Sequence, residues 1–69
     1  MSDLAGNLRA ERARNRLKRV EVARRIGVRV NTVADWEDGK YIPNAVNLLR
    51  LSALYKRSPD ELMGETARV

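Results

Sequence analysis

The sequence predicts an all-α domain of five short helices. Three observations carry that expectation. The 69 residues are enough for one small domain. The apolar residues recur at the three- and four-residue spacing of helix faces. Gly27, Gly39, Pro43 and the Ser58-Pro59 pair divide the chain into segments of helical length. There is no internal repeat, low-complexity tract or Pro/Gly/Ser linker, so residues 1–69 read as one unit with a compact core over about 4–63.

A first helix is expected over roughly residues 3–15, with Leu4, Ala5, Leu8 and Ala13 approximating its apolar stripe and Ser2 and Asp3 as candidate N-caps. A second helix, Lys18 to Ile26, places Val22, Ala23 and Ile26 on one face and stops at Gly27. A third follows over Val30 to Glu37, with Val33 and Trp36 facing inward and Gly39 ending the run. Tyr41, Ile42, Pro43 and Asn44 form a connection, Pro43 enforcing an extended approach and Asn44 suited to cap the next helix. The fourth helix, Ala45 to Tyr55, has a stripe of Leu48, Leu51, Leu54 and Tyr55. Ser58, Pro59 and Glu61 spell a capping box that opens a short fifth helix carrying Leu62 and Met63.

Composition narrows the function. With neither Cys nor His, disulfides, thiolate zinc sites, cysteine nucleophiles and the commonest general base are absent. No metal or cofactor is expected, and a chain this short leaves little material for a deep catalytic pocket. Asp35, Glu37 and Asp38 fall on a surface helix and make a poor acid–base pair, so an enzyme is not expected. No run approaches the ~20 apolar residues of a membrane span, and the N-terminus lacks the apolar core of a secretory signal, so a cytoplasmic location is expected.

The net charge is +5 and unevenly placed: residues 1–30 carry nine basic against three acidic side chains, residues 31–69 five against six. Arginine dominates the basic half, and its planar fork suits phosphate oxygens. A polyanion is the expected partner, the alternative being solvated helix faces. A membrane-surface role fits less well, since the first helix spreads its basic residues and lacks aromatic anchors.

The second and third helices, joined by a tight glycine turn, form the informative unit. Two helices crossing closely need a small residue in the first and a left-handed residue in the turn, and Ala23 and Gly27 stand four apart for those tasks. Val22, Ala23, Ile26, Gly27, Val33 and Trp36 are then the core of a helix-turn-helix.

Through VAxxIGV at Val22 to Val28, WExGK at Trp36 to Lys40, Pro43 and SPDEL at Ser58 to Leu62, the chain resembles the phage repressor and Cro-type (Xre-like) helix-turn-helix family over Leu4 to Met63. The resemblance implies a lambda-repressor-like domain whose third helix enters the DNA major groove while the second crosses the backbone. It implies a structural ion pair between Arg12 and Glu37. It also puts Val30, Asn31 and Asp35 at base-facing positions, and Arg19, Arg29, Thr32, Lys40, Tyr41 and Asn44 at the phosphates. The Asn31 amide suits adenine N6 and N7, with helix capping as the alternative; Val30 suits a thymine methyl. Asp35 either accepts from cytosine N4 or balances a neighbouring arginine.

Lys18 and Arg29 stand where the family usually has Ser or Thr caps, and neither side chain accepts a hydrogen bond. Arg19 stands where many members have Gln. Arg57 replaces a residue that is usually apolar, its stem expected to cover the core while its charge reaches water.

The function so implied is a transcriptional regulator, a repressor holding a two-half-site operator as a homodimer. Ile42, Val46, Leu49 and Leu54 are candidates for the dimer patch, with Leu49 and Leu54 equally readable as core. A protein-binding module, such as the antitoxin of a toxin–antitoxin pair, is the alternative.

Overall fold

A computed structural model describes residues 3–64. It contains α1 (Leu4–Arg14), α2 (Arg19–Ile26), α3 (Val30–Glu37), α4 (Ala45–Tyr55) and α5 (Pro59–Leu62), with no strand among the described residues. α2 packs chiefly on α3, α1 on α3 and α5, and α4 on α2 and α5. Leu8, Val22, Ala23, Ile26, Val33, Trp36, Leu51, Tyr55 and Leu62 are buried at the centre, with Leu4, Leu17, Val28, Leu48 and Leu54 packed around them. Each fully buried Leu, Val or Ile contributes about 1.5–3 kcal/mol of transfer free energy, and this core holds the set together.

The helix boundaries have local causes. Asp3 caps α1, its carboxylate accepting from the Gly6 amide at 3.1 Å; Ser2, the other candidate cap, lies outside the described residues. Asn44 caps α4 by accepting from the Asn47 amide at 2.8 Å. At α5 the capping box is complete: Ser58 Oγ accepts from the Glu61 amide at 3.0 Å, and the Glu61 carboxylate accepts from the Ser58 amide at 2.8 Å. α5 ends at Leu62, and Met63 caps it rather than continuing it.

At the C-terminal ends, the chain reverses through left-handed residues. Gly27, with φ 88°, closes α2, its amide and that of Val28 donating to the Ala23 carbonyl at 2.8 and 3.0 Å. Arg16 (φ 57°) and Lys56 (φ 55°) do the same after α1 and α4, although neither is glycine. Both follow the carbonyl end of a helix, where a positive charge is favourable.

α1 departs from the expected stripe. Ala13 is exposed, and Leu8 is the helix's one buried residue. Polar side chains instead join α1 to the rest: Asn7 Nδ2 donates to the Leu62 carbonyl at 2.8 Å, and Glu11 accepts from Arg57 Nε at 3.1 Å. The Arg57 charge is therefore paired with Glu11 rather than simply reaching water. Arg14 meets the same carboxylate at 3.3 Å.

Candidate nucleic-acid interface

α3 is fastened at its C-terminal end. Glu37, 1% exposed, receives Arg12 Nε on Oε2 at 2.8 Å and Arg19 Nε on Oε1 at 2.9 Å. Arg9 donates to the Glu37 carbonyl, and a second Arg12 nitrogen donates to the Leu17 carbonyl at 3.1 Å. One carboxylate thus ties α1 and α2 to α3, and the hydrogen bond to Glu37 raises the Arg12 pKa above its ordinary value. A buried carboxylate is tolerated because both oxygens face guanidinium donors. Trp36 and Val33, both buried, anchor the same helix through the core.

The outward side chains of α3 carry none of these contacts. Val30 and Asn31 are exposed, while Thr32 and Asp35 are half-buried. The side chains of Asn31, Thr32 and Asp35 make no hydrogen bond or ion pair among the described residues. The N-cap of α3 is Arg29, which places Asn31 at the second helical residue, and Asn31 caps nothing there. No basic side chain lies within ion-pair distance of Asp35 among the described residues. Its backbone carbonyl accepts from the Lys40 amide at 2.9 Å, which closes the turn leading to the exposed Lys40 and Tyr41.

Two helix starts flank this face, and both lack a side-chain acceptor. Lys18 and Arg29 are the N-caps of α2 and α3, and neither accepts a capping hydrogen bond. At α2, Glu21 accepts from the Lys18 amide at 2.7 Å, but the amides of Arg19 and Val20 find no acceptor among the described residues. At α3 the same holds for Val30 and Asn31, whereas Thr32 and Val33 donate to the Arg29 carbonyl. Open amides at a helix start, next to a cation, form an environment that favours an anion.

Among the expected phosphate contacts, Arg29, Lys40, Tyr41 and Asn44 are exposed, and the side chain of Asn44 is occupied in capping α4. Arg19 is in a different position, because its Nε is already engaged by Glu37. Residue order alone does not reveal that pairing across 18 positions. Val20, exposed at the start of α2, is a further apolar side chain that residue order did not single out. Of the patch residues, Ile42, Val46 and Leu49 are exposed, whereas Leu54 packs against the core and lines an apolar groove with Ile26, Ala53, Arg25 and Arg50. No helix among the described residues is long and apolar enough to cross a membrane.

Residues 8–62 match a helix-turn-helix family model. The structure is similar to that of the P22 c2 repressor protein, solved in complex with synthetic operator 9T in the presence of Tl+. The two share a TM-score of 0.89 and 27% identity over 96% of this chain and all of that one. It is similar also to the solution structure of the P22 c2 repressor DNA-binding domain (TM-score 0.83, 28% identity, 96% of this chain and 88% of that one). A transcriptional regulator from Listeria innocua matches with a TM-score of 0.90 and 30% identity; all of this chain aligns, and it spans 64% of that protein. No curated protein matches. With the family model covering most of its length and α2–Gly27–α3 built as a helix-turn-helix, the chain belongs to the Cro/C1-type, Xre-like helix-turn-helix family of DNA-binding transcription regulators.

Proposed function

We propose that this regulator is a sequence-specific repressor that places α3 in the major groove of duplex DNA and α2 across the backbone, two copies occupying a two-half-site operator. The observation that carries the reading is the division of α3: Asn31 stands exposed, with no side-chain partner among the described residues, on a helix whose far end Glu37 ties to α1 and α2. A side chain with two free amide functions, on an anchored helix, suits bidentate recognition of adenine N6 and N7. Val30 beside it suits a thymine methyl. Asp35, with no basic partner of its own among the described residues, suits cytosine N4. Thr32, Arg29, Lys40, Tyr41, the Arg19 guanidinium and the Asn44 backbone amide supply the phosphate contacts, and the cationic helix starts gain from phosphate the acceptor that they lack. The work is binding without bond making, so no cofactor is assigned.

The dimer rests on the exposed Ile42, Val46 and Leu49, with Leu54 at the edge of the patch. The same apolar surface supports the second reading, an antitoxin-like module that holds another protein. Selection of bound sites from a random duplex pool at near-physiological salt tests the proposal. The expected result is a two-half-site motif with centres about one helical turn apart. No motif, with binding that simply collapses as salt rises, would reduce the basic face to a general polyanion surface.

A further inference from the structure

Arg19 has one partner more than the fold requires. Glu37 holds its Nε at 2.9 Å, while Nη2 lies 3.5 Å from Asp38 Oδ1. Glu37 has an explanation in the architecture: it is buried and joins three helices. Asp38 has none of that kind. Its side chain is 56% exposed, and it caps the C-terminus of α3, where the negative end of the helix disfavours a carboxylate. An ion pair this exposed adds little stability.

We propose that Asp38 is a built-in stand-in for a DNA phosphate, occupying the outer edge of the Arg19 guanidinium in the free protein and acting as a brake on binding. The inference rests on the DNA-binding reading and adds to it. Carboxylate and phosphate oxygens present the same acceptor to a guanidinium edge. Glu37 keeps the Nε side fixed, so Arg19 exchanges Asp38 for phosphate at its outer nitrogens without leaving α3. A phosphate contact carries no base information, so the brake lowers affinity for every duplex alike. A weak duplex contact is then further disfavoured, while a site that also satisfies α3 remains bound.

A double-mutant cycle on the full chain tests this, using anisotropy of a selected duplex and of an unrelated one. Asp38→Asn is expected to tighten binding to both by about two- to five-fold, the size of one exposed ion pair. Its melting temperature without DNA should be unchanged or slightly raised. In an Arg19→Gln background, which keeps Glu37 paired with Arg12 and so stays folded, the gain should vanish. An equal gain in both backgrounds would show that Asp38 simply repels DNA, and no gain in the wild-type background would remove the brake; either result overturns the proposal. Failure of the unmodified chain to bind any duplex would instead sink the DNA-binding reading itself, before any variant is compared.

Discussion

The two halves of α3 are made differently although they share eight residues. The C-terminal half is fixed, with Trp36 in the core and Glu37 gripped by two arginines, and Val33 anchors the helix midway. The N-terminal half offers Val30 and Asn31 to solvent, and the Asn31 side chain has no hydrogen bond among the described residues. A recognition surface gains from this division. Side chains that are to meet a ligand must be free of partners in the protein, yet the backbone carrying them must not move, and those demands are met at opposite ends of one helix.

The largest effect is expected where the fixed half is loosened. Glu37→Gln leaves two guanidinium groups facing one amide that accepts from only one of them. It should cost about 2–3 kcal/mol in urea denaturation, below the range for breaking a fully buried pair because both arginines reach water. DNA affinity should fall with it, while the order of preferred bases stays the same, because the side chains in the free half are untouched.

Gly27→Ala addresses the joint between α2 and the free half. A Cβ there would meet nothing within 4 Å, so the whole cost comes from holding alanine at φ 88°, about 1 kcal/mol. A much larger loss in thermal or chemical denaturation would mean that the turn is packed more tightly than its open surroundings indicate.

Tyr55 lies behind the fixed half, and its buried hydroxyl has no hydrogen-bond partner among the described residues. Burial, followed by the negative charge of Glu37, pushes this phenol up from its usual 10.0 to about 12. Since the folded state keeps a proton that the unfolded chain releases, the associated stability is intact below pH 10 and is lost as pH rises from 10 to about 12. Tyr55→Phe should therefore flatten the alkaline limb of the stability profile. At neutral pH it should change stability by less than about 1 kcal/mol, in the stabilising direction, because an unsatisfied buried hydroxyl is removed. A clear loss at neutral pH would mean that the hydroxyl has a partner in solution.

The same division explains what could be read from the sequence. The α2–Gly27–α3 unit, the α4 stripe and the Ser58 capping box follow from local spacing, and each element lies within a residue or so of its expected bounds. α1 was legible only in part. Its inward face is built from Asn7, Glu11 and Arg12 as much as from Leu8, and apolar periodicity says nothing about which polar groups will find partners 46 or 55 residues away. Arg19 was obscure for the same reason. Its neighbours in sequence suggest a free cation, whereas the fold brings it to a carboxylate that already serves Arg12. The left-handed Arg16 and Lys56 carried no glycine to announce them. Asn31, by contrast, is a candidate through the family resemblance, and the structure adds that nothing among the described residues hydrogen-bonds its amide.

Asn31→Ala separates base reading from a structural role when both unfolding free energy and base preference are measured on a panel of duplexes drawn from the selected site. If Asn31 reads a base, stability stays within about 0.5 kcal/mol of the unmodified chain. About 1–3 kcal/mol of discrimination is then lost, confined to one adenine position in each half-site. Reduced stability with the base preference intact would return Asn31 to a structural role and leave α3 without its adenine reader.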